Sequence, residues 1–332
     1  MKHVEFAPLM KGGSPELFDL FEECFAHPVD EAWWKWKYDL NPYGRGLNLL
    51  ALVEGHLAGH YGAYGVKCRK GDGESFWVNH IGDVMISPRY RGVGVGRSAL
   101  ITRLTHAFYD TFCEAVAFNY GCPSERHARL GRALLGYEVL DPITVWELDL
   151  QRWRMPFVDK MRAMALNRVA NIFIGEVPMA SECELLYQRL AHQYPLSIVK
   201  EAIYLKWRYK EHPLTDYMVH GIRKNGDLRL LGIFRVNEQT IEIGELLFDF
   251  GERYIFSMFI QHISKSFPSH RLILWCNPYI KNMAGLLISL GFKADKHPQG
   301  ISLAVAIFDT ATFPREFIRR SFFYQMGDFD LF

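Results

Sequence analysis

The chain has 332 residues, long for a single core and comfortable for two domains. It is 49% hydrophobic and 23% charged, with a net charge of +1. That balance gives neither the basic surface of a nucleic-acid binder nor the acidic tail of a disordered scaffold.

The six cysteines (Cys24, Cys68, Cys113, Cys122, Cys183 and Cys276) show no C-x-x-C pair and no metal-ligand spacing. They read as buried thiols of a reducing compartment, with no metal expected. No apolar run reaches the length of a membrane span, and the first residues do not resemble a signal peptide. The expected location is cytoplasmic.

In chain order, an amphipathic helix is expected over Leu17 to Phe25, followed by an aromatic segment around Trp34, Trp36 and Tyr38. A hairpin follows, Leu47 to Val53 and Leu57 to Val66, turned at Glu54-Gly55. A long strand runs from Phe76 to Ile86, a helix from Gly94 to about Tyr109, and a short buried strand over Ala115 to Phe118. The next helix spans Glu125 to Leu135 and stops at Gly136, a good residue just past a helix end. Val145, Glu147 and Asp149 alternate with Trp146, Leu148 and Leu150, which predicts a closing strand.

Arg152 to Ile174 has helical spacing and reads as a connecting helix. Beyond it come strands over Met218 to Ile222, Leu228 to Val236 and Thr240 to Phe250, the first two joined by a turn at Asn225-Gly226. A helix over Tyr254 to Phe267, a strand over Leu272 to Trp275 and a helix ending at Gly291 complete the second series.

The two series share landmarks. The frame W-[KR]-Y-x-x-x-P occurs at Trp36 to Pro42 and again 171 positions later at Trp207 to Pro213. Ile81-Gly82-Asp83-Val84-Met85 resembles Ile243-Gly244-Glu245-Leu246-Leu247. Pro123 precedes Gly136-Tyr137 by the same 13 residues that separate Pro278 from Gly291-Phe292. Four matches in one order indicate a duplication. The expected division is 1–152, a connecting helix over 153–178, and 179–332.

The segment Asp83 to Arg97 carries the chemistry. Pro88 ends the strand, and Gly92, Gly94 and Gly96 then clear side chains from a helix entrance. Backbone N–H groups, the helix dipole, Arg91 and Arg97 together suit a diphosphate. No G-K-[ST] follows, so it is not a Walker loop, and the glycine spacing is wrong for a dinucleotide fingerprint.

Here the sequence resembles the GCN5-related N-acetyltransferase (GNAT) superfamily. Arg91-Gly92-Val93-Gly94-Val95-Gly96 matches its cofactor motif [RQ]-x-x-G-x-[GA], and Val84-Met85-Ile86-Ser87-Pro88 matches the V-x-V-x-P element before it. The second copy has Gly251-Glu252-Arg253-Tyr254-Ile255-Phe256 there and looks degenerate. The resemblance implies an α/β fold of two GNAT-like domains. Each would be a mostly antiparallel sheet with one splayed parallel pair, flanked by helices.

The resemblance also implies acetyl-CoA or another acyl-CoA as cofactor and a small-molecule amine as acceptor. The pantetheine arm would pair with backbone groups of Val84, Met85 and Ile86. The pyrophosphate would lie on Arg91, Gly92, Val93, Gly94, Val95, Gly96 and Arg97, with Asn119 also touching the cofactor. The tyrosine that many members carry four residues before the Gly-aromatic pair is replaced by Arg132. Tyr120 is a substitute candidate for the acid, and Asp83 and His80 are candidates for the base; packing roles for all three stay open. An aminoacyl or long-acyl transferase of the tandem type is an alternative. A non-catalytic CoA-responsive binding protein is another, favoured by the missing tyrosine.

Overall fold

A computed structural model describes residues 3–9, 11–166 and 170–332. Its strands are, in chain order, β1 (Val4–Pro8), β2 (Gly46–Val53), β3 (His56–Arg69), β4 (Ser75–Ile86), β5 (Phe118–Gly121), β6 (Glu138–Pro142), β7 (Thr144–Asp149) and β8 (Ala170–Gly175). They continue with β9 (Leu196–Ile198), β10 (Met218–Lys224), β11 (Asp227–Asn237), β12 (Thr240–Phe248), β13 (Arg271–Trp275), β14 (Lys293–Lys296), β15 (Ser302–Ile307) and β16 (Phe322–Phe323).

Two mixed sheets form. The first has the order β1-β2-β3-β4-β5-β15-β6, with β9 and β16 attached through β3. The second has the order β8-β10-β11-β12-β13-β7-β14. The two orders are the same pattern, strand for strand, so the duplication read from the sequence is a duplication of the fold.

One exchange breaks the separation of the copies. β7, the last strand of the first copy, inserts between β13 and β14 of the second sheet, with Leu274 opposite Trp146 and Lys293 opposite Glu147. β15, the last strand of the second copy, inserts between β5 and β6 of the first, with Val305 opposite Tyr120. The alternation in β7 works as expected: Trp146 and Leu148 are buried.

Three expectations need correction. The helix expected from Gly94 starts at Leu100, because Gly94 (φ +74°) and Gly96 (φ +58°) hold a backbone that no α-helix accommodates. The short strand is Phe118–Gly121 rather than Ala115 to Phe118. Val116 and Ala117 are apolar because they are buried on the approach to it, and a short apolar run alone does not fix a strand. The connecting helix covers Phe157–Leu166, while Ala170–Gly175 is the edge strand β8 paired with β10; residues 167–169 lie outside the described residues. Ile172, Phe173 and Ile174 fit either period, which is why the edge strand was hidden.

The copies meet at the repeated aromatic frame. The helical turns Glu31–Trp34 and Ala202–Leu205 each widen into a π-turn, over Lys35–Asp39 and Lys206–Lys210. That places Trp36 and Trp207 face to face, ring centroids 4.9 Å apart and 16° from parallel. Each indole N–H donates to the backbone carbonyl of the other residue, at 2.7 and 2.9 Å. A local two-fold axis therefore runs between them.

Because both sheets contain a strand from each copy, the chain should unfold in one transition. Trp36→Ala is expected to lower stability by about 3–5 kcal/mol. Near- and far-ultraviolet circular dichroism should still coincide along a urea titration. Two resolved transitions in the native chain would contradict the exchanged sheets.

Candidate active site

The first sheet opens between β4 and β5. These strands run parallel and pair at Asn79 with Asn119 and at His80 with Tyr120. Beyond that point they diverge. The Asn79 amide donates to Asn119 Oδ1 at 3.0 Å and closes the junction. A register shift against β3 marks the turn-away. Asp83 takes a left-handed backbone there (φ +52°), a strained state for a non-glycine residue. The His60 ring, buried and neutral because burial lowers its pKa to about 4, holds the Asp83 carbonyl through Nδ1 at 2.7 Å.

The divergence leaves a cavity of about 310 Å³. Val84, Asn119, Ser124 and Tyr137 line one part; Asp330 and Leu331 line another. The glycine-rich loop follows directly from the end of β4. Gly94 is needed by close approach as well as by its φ, since a Cβ would overlap the Ser98 carbonyl. Among the described residues no acceptor takes the N–H of Gly92 or Gly94, whereas the Val95 N–H donates to Ser98 Oγ at 3.0 Å. Arg97 belongs to the short turn Gly96–Ser98, and Val95 is exposed. Arg91 folds back, its Nε donating to the Ile86 carbonyl at 3.2 Å. A glycine-lined loop with free backbone donors beside a splayed strand pair fits the diphosphate and arm of acyl-CoA.

The acidic end is built by three parts of the chain: the π-turn Lys35–Asp39, β4 and the segment that carries Asp330. Lys37 Nζ is wholly buried and lies 2.7 Å from both Asp83 Oδ2 and Asp330 Oδ2. The Tyr38 hydroxyl donates to Asp83 Oδ2 at 2.5 Å. His80 Nε2 stands 3.6 Å from Asp330 Oδ1, beyond hydrogen-bond distance, and neither ring nitrogen has a partner among the described residues. Burial lowers the His80 pKa to about 4, so the ring is neutral at pH 7. Burial would raise the Asp330 pKa, but Lys37 and then His80 outweigh it and hold it at about 2. With His80 neutral, Lys37 alone pairs with the two carboxylates, and the buried Arg208 adds a weaker pull on Asp330.

Opposite, the Tyr137 hydroxyl meets that of Tyr61 at 2.8 Å and His127 Nε2 at 3.3 Å. Burial pushes Tyr137 up to about 12, against the pull of Tyr61 and Tyr109. It stays protonated at neutral pH.

Of the residues singled out in the sequence, Asp83, Val84, Asn119 and Tyr120 all reach the cavity wall. The Tyr120 hydroxyl, however, points away and donates to the Asp328 carbonyl at 3.0 Å. The Met85 side chain packs in the core with Leu17, Phe21 and Trp34, so what it offers the cleft is backbone. The side chain of Asn119 is also buried. Lys37 and Tyr137 were not among the candidates. A signal for Lys37 existed: a cation sits at the same place in the aromatic frame of both copies, as Arg208 in the second. The segment Gly327 to Asp330 could be read from sequence either as reaching the cleft or as a solvated tail; it is buried but for Asp330.

A sheet split at a parallel strand pair, with a glycine-rich loop at the split, defines the GNAT class of acyltransferase folds. Residues 5–131 match the family model of the acetyltransferase (GNAT) domain. The whole chain has the two-copy fold of the solved structures it resembles, and its second copy lacks the loop. A conserved protein of unknown function from Enterococcus faecalis V583, described as a probable N-acyltransferase, is similar over 94% of this chain and 74% of its own, at 18% identity and TM-score 0.69. A GCN5-related N-acetyltransferase from Kribbella flavida is similar over 92% and 72%, at 13% identity and TM-score 0.64. A tandem GNAT protein from the clavulanic acid biosynthesis pathway is similar over 92% and 98%, at 12% identity and TM-score 0.52. Identities this low establish the fold. Among curated proteins none matches. No described helix is long and apolar enough to cross a membrane. No cluster of three or more metal-ligating side chains occurs among the described residues.

Lys37→Met should leave the two carboxylates without their cation and cost about 3–5 kcal/mol at pH 7. Asp330 is held below its unfolded value, so its contribution is present above about pH 4 and lost as pH falls toward 2. Urea denaturation of wild type and K37M at pH 7 and pH 3 should therefore show a smaller gap at the lower pH. An equal gap at both would remove Lys37 as the cause of the depressed carboxylate.

Proposed function

We propose that the chain transfers an acyl group, acetyl in the simplest case, from acyl-CoA to the amine of a small molecule by direct attack. The observation that carries this is the cleft between β4 and β5, which has a glycine-rich loop at the end of β4 and the partly exposed Asp330 carboxylate on its wall. The free backbone N–H groups of Gly92 and Gly94, with the loop through Arg97, hold the pyrophosphate, and the backbone of Val84 to Ile86 takes the arm. Bound acyl-CoA supplies the thioester carbonyl and the thiolate that leaves.

Asp330 receives the acceptor's amino group. Its carboxylate is about one-fifth exposed, against 9% for Asp83, whose Oδ2 takes both Lys37 and Tyr38. Asp83 thus fixes the cluster rather than meeting the amine. His80, neutral behind Asp330, keeps Asp330 Oδ1 from pairing with a second cation. Tyr137 is the proton donor to the departing thiolate: it is protonated at pH 7 and faces the cleft, which fills the role vacated at Arg132. The C–N bond forms as the C–S bond breaks, Tyr137 protonates the leaving thiolate, the proton lost from nitrogen goes to solvent water beside Asp330, and solvent reprotonates Tyr137.

Calorimetry should show one acetyl-CoA bound per chain. Gly94→Val should weaken that binding at least about tenfold, because its Cβ meets the Ser98 carbonyl. A free-thiol readout with benzylamine, spermidine and glucosamine should show release of CoA above hydrolysis for at least one amine. Tyr137→Phe should lower kcat about 10²–10⁴-fold with acetyl-CoA affinity unchanged. Tight acetyl-CoA binding without turnover of any amine would leave a CoA-responsive binding protein as the better reading.

A further inference from the structure

The second copy has the same splay but a different occupant. By the repeat, Leu246 corresponds to Val84, and Gly244 to Gly82. The Leu246 N–H donates to Gln325 Oε1 at 2.7 Å. The Gln325 amide nitrogen donates in turn to the Glu245 carboxylate. The Phe332 ring packs where a Cβ on Gly244 would stand. The place where an acyl-CoA arm lies in the proposed first site is thus filled here by the chain's own residues 325–332.

Arg208, the counterpart of Lys37, holds this strap by its backbone. Nε donates to the Gly327 carbonyl at 2.9 Å, and Nη2 donates to the oxygens of Phe329 and Phe332 at 2.8 and 2.7 Å. Lys200 pairs with both Asp328 and Glu245. From 325 to 332 every residue is buried except Asp330 and Leu331, and those two line the first cleft. Gly82 matches this approach: a Cβ there would lie 2.5 Å from Asp330 Oδ2.

We propose that the splay of the second copy is a socket whose ligand is the strap 325–332, and that Arg208 is the positioning residue that sets Asp330 in the acceptor end of the first cleft. The second half of this statement rests on the function proposed above. A planar guanidinium spans three oxygens around residue 330 from fixed directions, which an ammonium does not. The degenerate copy therefore completes the working one from behind.

The test uses the full chain with Arg208→Lys and, as a milder variant that leaves the buried cation in place, Gln325→Ala. Hydrogen exchange of residues 325–332 should accelerate at least about tenfold in each, with the loop Gly92 to Gly96 unchanged. Acetyl-CoA affinity should stay within about twofold, while KM for the best amine of the panel rises about tenfold or more and kcat falls less. A strap that exchanges faster with no change in amine KM overturns the positioning role. Unchanged exchange in both variants, or two acetyl-CoA bound per wild-type chain, overturns the socket. These last readings need no turnover, so they stand apart from a failure of the proposed acyl transfer.

Discussion

The reciprocal contact of Trp36 and Trp207 organises the molecule. Two indoles stack, and each donates its N–H to the other's backbone, so neither buried polar group is left unpaired. The contact locks the two π-turns that carry Lys37 and Tyr38 on one side and Arg208 and Tyr209 on the other. The exchange of β7 and β15 then binds the sheets by backbone hydrogen bonds as well. Everything at the cleft hangs from this axis: the cation, the tyrosine, and the strap that must cross from one copy to the other.

The same frame produces two different polar centres. In the first copy Lys37 stands between Asp83 and Asp330, and Asp330 keeps access to the cavity. In the second, Lys200 stands between Glu245 and Asp328 in full burial. Burial raises Glu245 to about 7 despite the pull of Lys200, with Asp328 adding to the push. One centre holds an ionised carboxylate toward the cavity. The other holds a carboxyl near its titration point inside a sealed core. Duplication supplied the frame, and the residues filling it left one centre open to the cleft and sealed the other.

Local patterns carried much of this in the sequence. The hairpin of β2 and β3, the long β4, and the closing strand β7 follow from turn residues and alternation. The glycine-rich loop announced itself because backbone access imposes glycine. What the sequence hid was long-range. Nothing in Thr144–Asp149 says which sheet it joins, since a strand's pattern records a buried face and not its neighbour. The stretch Gly327 to Asp330 read equally as reaching the cleft or as a solvated tail, because what places Asp330 is Lys37 and Gly82, far away in the chain. Tyr137 was visible as the aromatic after Gly136, but its hydroxyl matters through Tyr61 and His127, which only the fold brings near. Tyr120 was favoured by proximity to a strand end, yet its hydroxyl turned to Asp328.

The exchanged strands also impose an order on synthesis. β5 and β6 of the first sheet are joined through β15, which is made only after most of the second copy. Until then a growing chain exposes two unpaired strand edges beside the cleft, the kind of surface that invites pairing with another nascent chain. Contacts of such long sequence separation slow folding. The first copy, for all that it holds the cleft, is the half that must wait.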